Sequence, residues 1–386
     1  MTDDSPARRY LRLCLGSQWS PSALDEARVL STRTDFDWAA LLQCAFDEGA
    51  APPWYGVVRG RDLVPPAIEA ELQAAYREAA LRNTALFAER DRILRELHSD
   101  GIEVILLKGA ALAETVYGDI ALRPMSDLDL LVRPGDVSAI MRQLARAGYH
   151  APIDLPRLDN MPVEFENELP VFKPEDARYR CDIHWGLLAA PYYQRQLPPD
   201  WLWATSQPLE AIGVPARVLG PEAQVLHLTA HLMLSHQGHG LRWWYDVGLV
   251  SWTYRRQIDW NLLCERAQMY DLVLPAQRVL LELVEQWQLP IPIAAVEQLR
   301  ALSPSAREQQ MYARLTSERS SLRRYWGDLL SIPDWPGRLR YTWRKLFPSA
   351  TYMRWRYALP QPWLLPLAYP YRWAAPVWCA MRERHA

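Results

Sequence analysis

The chain has 386 residues, 49% hydrophobic and 23% charged, with a formal net charge of −2. That balance excludes a disordered chain and gives no global attraction to nucleic acid or an acidic surface. At about 100–200 residues per domain, the length predicts two or three domains, or one catalytic core with helical additions.

Residues 1–95 read as a helical region. Apolar positions recur at helical spacing in DWAALLQCAFDEGA (37–50), and 65–101 is one long amphipathic pattern that opens on a proline pair and stops at Gly101. The period then changes. The run EVILL (103–107) predicts a buried strand, followed by Gly109 and a small-residue helix over 110–118. After Arg123-Pro124 comes a second strand, DLDLLV (127–132), then a Pro134-Gly135 turn and a helix over 137–147 with Asp136 as its N-cap and Gly148 at its end. Two further strands, 163–173 and 178–184, predict a hairpin. Helices are expected at 221–236, 241–256, 259–288 and 303–330. The tail from 338 to 386 holds nine basic residues and one acidic, with prolines expected to cut it into short pieces. The expected fold is α+β: a small mixed sheet with helices over 96–215, embedded in a helical N-terminal region (1–95) and a helical C-terminal domain (216–332), with a tail at 333–386.

Asp127 and Asp129 carry the chemistry. At i and i+2 on a strand they share one face, about 7 Å apart along the backbone, and repel unless a cation sits between them. Hard carboxylate oxygens suit Mg²⁺ or Mn²⁺. Upstream, a strand ends at Leu107-Lys108-Gly109 and a helix begins, offering unpaired N–H groups to a phosphate. Gly109 lets the backbone approach a ligand. Lys108 and Arg123 flank the same edge and could neutralise a triphosphate, Arg123 bidentately. Asp182, in CDIHW, is the candidate third carboxylate of a two-metal site. His184 shares its face and could orient Asp182, bind substrate, or pack in the core.

The segment LLKGAALAETVYGDIALRPMSDLDLLV (106–132) resembles the signature of the DNA polymerase β-like nucleotidyltransferase superfamily. More closely, it is similar to a bacterial family of uncharacterised nucleotidyltransferases, whose pattern also resembles GY (148–149), DIHW (182–185) and LRWWYD (241–246) here; the likeness spans roughly 37–350. The resemblance implies a transferase that moves a nucleoside monophosphate from an NTP to an acceptor hydroxyl. It implies Asp127, Asp129 and Asp182 as metal ligands and catalytic residues, and Gly109 in the phosphate turn. Where the superfamily has Gly-Ser, this chain has Gly109-Ala110. Members often lie near genes of natural-product or modified-peptide biosynthesis, which points to a small-molecule or peptide acceptor. The alternatives are a non-catalytic nucleotide- or peptide-binding module on the same fold and a kinase-type phosphotransferase.

Three features stand apart. His227, His231, His236 and His239 cluster; the first two share a helix face, a spacing that packed histidines, a zinc site or a substrate-facing wall would each explain. Arg242 and Asp246, at i and i+4, could pair on a helix; the resemblance offers a site or domain-interface role for Asp246 as the other reading. The basic aromatic tail is expected to pack on the helical domain, with contact to a membrane surface or to RNA or a peptide as the other readings. Cys14, Cys44, Cys181, Cys264 and Cys379 form no CxxC pair. With no apolar leader and no 18-residue apolar run, they fit a cytoplasmic protein without a transmembrane span.

Overall fold

A computed structural model describes residues 5–33, 36–151, 166–209, 213–316, 321–332, 334–359 and 361–382. The chain opens with five helices: α1 (Pro6–Gly16), α2 (Ala23–Ser31), α3 (Trp38–Asp47), α4 (Ala51–Val58) and the long α5 (Pro66–Ser99). Local chemistry sets their starts. Ser5 accepts from the Arg8 N–H ahead of Pro6 at the head of α1, and Asp37 accepts from the N–H groups of Ala39 and Ala40 at the head of α3. The mixed part follows as β1 (Ile105–Leu106), α6 (Lys108–Thr115), β2 (Leu128–Leu131), α7 (Val137–Arg146), β3 (Glu168–Lys173), β4 (Asp176–His184), α8 (Pro191–Gln196), α9 (Pro199–Thr205), β5 (Gln207–Pro208) and β6 (Arg217–Val218). The remainder is helical: α10 (Pro221–Ala230), a π-helical turn His231–Ser235, α11 (Leu241–Thr253), α12 (Trp260–Met269), α13 (Val273–Trp287), α14 (Ile293–Ala301), α15 (Ala306–Thr316), α16 (Ser321–Ser331), α17 (Trp335–Leu346), α18 (Ala350–Arg356) and α19 (Leu365–Arg382).

The sheet has six strands in the order β3-β4-β2-β1-β6-β5. β2 runs parallel to β4 and antiparallel to β1, and β3–β4 is the expected hairpin. The expected α+β class, a mixed sheet within helical flanks, is the observed one. One face of the sheet is apolar: Leu128, Leu130, Cys181, Ile183 and Val171 pack with Ile93, Leu94 and Leu97 of α5 and Ile140 and Leu144 of α7. A second core joins the two ends of the chain, with Leu11 and Leu15 of α1 and Trp54 of α4 in one cluster with Val247 of α11 and Val279 and Leu283 of α13.

Several local expectations change. β1 is only two residues long, although its backbone pairing continues through Leu107 N–H to Asp129 O at 3.0 Å. Asp136 precedes α7 within a 3₁₀ turn, Pro134–Asp136, and its side chain caps nothing. The first residues of the expected strand at 163–173 lie outside the described residues. The single helix expected over 259–288 is two, α12 and α13. The break is at Asp271, whose φ is +54°; its carboxylate accepts from Tyr192, from Gln196 at 3.1 Å and from Ser305 at 2.8 Å. Pro275 then falls in the first turn of α13, where a missing N–H costs nothing. In the tail, α19 runs 18 residues through Pro366, Pro370 and Pro376 instead of stopping at each.

Glu308 lies fully buried against the start of α13, with Oε1 accepting the Leu274 N–H at 2.6 Å and Oε2 without a hydrogen-bond partner. Burial pushes its carboxyl up to about 7 from an ordinary 4.5. A raised folded-state value means that its contribution to stability is complete below 4.5 and is lost as pH rises through about 7. Glu308→Gln keeps the acceptor for Leu274. It is expected to flatten the dependence of Tm on pH across that window and to raise Tm above it by on the order of a few degrees, as thermal unfolding at stepped pH will show.

Candidate active site

The site follows from strand alternation. In the parallel β2–β4 pair Asp129 lies opposite Asp182 and Leu131 opposite His184, and across the hairpin Glu168 lies opposite His184. Residues two apart share a face, so Asp127, Asp129, Arg180, Asp182, His184 and Glu168 turn to the side away from the apolar core. Asp127 stands just before the first residue of β2.

Asp129 is the centre of this face. It is 5% exposed, and its Oδ1 accepts from Lys108 Nζ at 2.8 Å and meets His184 Nε2 at 2.8 Å. Burial alone would raise its carboxyl; the Lys108 ammonium and the His184 ring outweigh burial and hold it far below the ordinary range. Burial likewise opposes the charge on Lys108, yet Asp129, Glu168 and Asp127 together raise it. His184 Nδ1 stands 3.1 Å from Glu168 Oε2, without the alignment of a hydrogen bond. Asp182 takes both of its oxygens to Arg180, at 3.1 Å from Nε and 3.0 Å from Nη2. Burial raises Asp182; Arg180 pulls it down, and Asp127 and Asp129 push it up again. Asp127 is raised by burial and then by the charge of Asp129, against Arg180 and Lys108. As they stand, no three Asp, Glu, His or Cys side chains among the described residues are grouped to hold a metal ion.

The turn before α6 presses Lys108 onto Asp129. Lys108 has φ +46°, the left-handed region that a residue with a Cβ seldom enters. No side chain caps the first N–H groups of α6. Gly109 is tightly packed: a Cβ there would come within 2.6 Å of Met125 Cγ and Sδ, so that side chain would have to move. The Ala110 methyl, where the superfamily pattern has a serine, is buried in the sheet core. Arg123 does not join the carboxylates. It is 2% exposed, its Nε and Nη2 form a fork on Asp246 at 2.8 and 2.7 Å, and its Nη1 donates to Pro124 O at 2.8 Å. Asp246 also accepts from Tyr117 Oη at 2.7 Å, so its partners are Arg123 and Tyr117 and not the helical neighbour Arg242.

The model of a family described as uncharacterised nucleotidyltransferase matches residues 34–287, from just before α3 to the end of α13. The chain belongs to this nucleotidyltransferase family. It is therefore a transferase of phosphorus-containing groups. No match was found among curated proteins.

Sequence reasoning did not single out two residues of this nucleotidyltransferase that share the carboxylate face. Arg180 and Glu168 were both legible in principle, since Arg180 alternates with Asp182 and His184 on β4, and Glu168 begins the partner strand. Of the histidine cluster, His227, His231 and His236 feel the Lys108 charge, while His239 is exposed. Burial, then Lys108, lower His227 to about 3; burial, then Lys108 and Arg242, lower His236 to about 4. His231 Nε2 meets His236 Nε2 at 3.0 Å, His236 stacks on Trp243 at 4.5 Å, and His227 Nε2 has no hydrogen-bond partner. The π-helical turn His231–Ser235 adds a residue to the helical turn between His231 and His236.

The Arg123–Asp246 pair carries its own prediction. Asp246→Ala leaves a buried guanidinium without its partner and is expected to cost about 3–5 kcal/mol. Arg123→Met combined with Asp246→Leu removes both charges and should cost less than Asp246→Ala alone. Urea unfolding of the three proteins measures the difference.

Proposed function

We propose that this nucleotidyltransferase moves a nucleoside monophosphate from an NTP to an acceptor hydroxyl of a small molecule or peptide, with Asp127, Asp129 and Asp182 holding Mg²⁺ or Mn²⁺. The observation that carries the reading is the register of β2 and β4, in which Asp129 and Asp182 are direct cross-strand neighbours with Asp127 two residues before Asp129. The donor set suits a hard dication: all the ligand atoms are carboxylate oxygens, and Asp127 and Asp182 are each pushed toward protonation by burial and by their acidic neighbours. A dication bound there would stabilise charge on the α-phosphoryl group and the departing pyrophosphate and lower the pKa of the acceptor hydroxyl.

The protein's own groups then have distinct tasks. His184 Nε2 holds Asp129 Oδ1 in place. Lys108 Nζ leaves Asp129 for the triphosphate oxygens, a short move for an ammonium on a flexible stem. The uncapped N–H groups at the head of α6 receive a phosphate. Asp182 takes the proton of the acceptor hydroxyl as its oxygen bonds to the α-phosphorus and the bond to the β-phosphate oxygen breaks; Arg180 releases one carboxylate oxygen for this. The acceptor lies against the His231–His236 wall, which neutral imidazoles make polar and uncharged.

Incubation with α-labelled NTPs, Mg²⁺ or Mn²⁺ and cell extract should yield a labelled acceptor. Asp129→Asn and Asp182→Asn should each reduce it by at least about a hundredfold. Transfer from γ-labelled NTP alone would show a kinase-type reaction, and no transfer from either label would show a binding module. Once an acceptor is in hand, His236→Ala should raise KM for the acceptor several-fold and leave KM for the NTP close to wild type; the reverse pattern would move the wall to the nucleotide side.

A further inference from the structure

The matched family span ends at residue 287, and beyond it the chain changes character. Residues 335–382 contain eight Arg or Lys and no Asp or Glu. Within them, Trp335, Leu339, Trp343, Leu346 and Phe347 recur at the spacing of one helix face. In a helix packed on a protein, that stripe would be buried. In α17 it faces out: Trp335 is 72% exposed, Leu339 56% and Trp343 63%, while Tyr341, on the other side, is 2% exposed and packs with Leu329 and Ile332. The expectation that the tail's tryptophans form core therefore fails for Trp343, and Trp363 is 70% exposed as well.

The face continues onto α19. Phe347 lies 4.5 Å from Trp343 and 5.4 Å from Trp373, and the Trp373 indole N–H donates to Leu346 O at 2.9 Å. Arg340, Arg354 and Arg356 are exposed nearby in sequence. Among the described residues no helix is long and apolar enough to cross a membrane.

We infer that the α17 face docks on an anionic lipid surface, with its Trp and Leu stripe entering the boundary between headgroups and acyl chains and the arginines meeting lipid phosphates. Indole rings favour the headgroup level, and arginine can bury its stem while its guanidinium stays in the polar layer. The leucines favour lipid over nucleic acid, because an aliphatic stripe gains by entering hydrocarbon and gains little against phosphate or base edges. Charge argues against a second copy of the chain, since a self-complementary contact would bring together two segments with eight cationic residues and no acidic one. The interaction does not depend on the proposed transfer reaction.

The test is sedimentation of the full-length protein with vesicles of phosphatidylcholine alone and of phosphatidylcholine with about 30% phosphatidylglycerol. The expected result is binding to the anionic vesicles only, weakening as salt rises. Leu339→Ser with Trp343→Ser should weaken binding by at least about tenfold. Arg354→Gln with Arg356→Gln should weaken it and flatten its salt dependence. All four positions are exposed in the structure, and unchanged thermal unfolding midpoints would show that the variants fold. No binding to either vesicle, or equal binding by wild type and the Leu339/Trp343 variant, overturns the inference. So does binding to RNA or DNA without binding to vesicles, or a dimer in sedimentation velocity that the same variant abolishes.

Discussion

A carboxylate placed on a strand in the middle of a sheet must find compensating charge or lose its own, because burial penalises the ionised form by several kcal/mol. Asp129 is such a group, and its two partners come from elements that its needs hold together. Lys108 reaches it from the β1–α6 turn and His184 from the neighbouring parallel strand. The same interaction accounts for a strained backbone. Lys108 takes a left-handed conformation, at a cost of order 1–3 kcal/mol, and in return its ammonium lies within hydrogen-bond distance of Asp129 Oδ1. Strain repaid by a contact that a substrate phosphate could replace is strain placed where a reaction would use it.

Around this centre the charges are arranged in two layers that do not share partners. The carboxylate face carries Lys108 and Arg180 as its cations, both on side chains able to shift. Behind it, Arg123 and Asp246 form a fully buried fork that joins the loop before β2 to α11. The second layer fixes the sheet to the helical body, where burial first and the Lys108 charge second hold His227 and His231 below the ordinary histidine range. A guanidinium committed on all sides suits a structural strut better than a phosphate ligand.

What the sequence disclosed follows from the range of each interaction. Asp127, Asp129, Asp182 and His184 were legible because strand alternation acts over two residues, and their neighbourhood required only that two short strands pair. The helices at α3, α5 and α7 were legible through periodicity and punctuation. The partner of Arg123 was not, since Asp246 is 123 residues away and nothing local marks it. The shared core of α1, α4, α11 and α13 was hidden for the same reason. Gly109 read as room for a ligand, whereas the space beside it holds Met125, a contact that depends on how the loop after α6 folds back. The prolines of α19 misled because a helix tolerates a proline at its start and, at a cost, within it.

The central claim is that Asp129, paired with Lys108 and His184 in this structure, is the pivot of a divalent-metal site. The most direct test is a Mn²⁺ titration followed by electron paramagnetic resonance, in the presence of an NTP analogue whose α–β bridge is a methylene. Wild-type protein should take up Mn²⁺ saturably, and Asp129→Asn, folded to the same melting temperature, should lose that uptake. Equal uptake by both proteins, or none by the wild type at millimolar Mn²⁺, would contradict the claim.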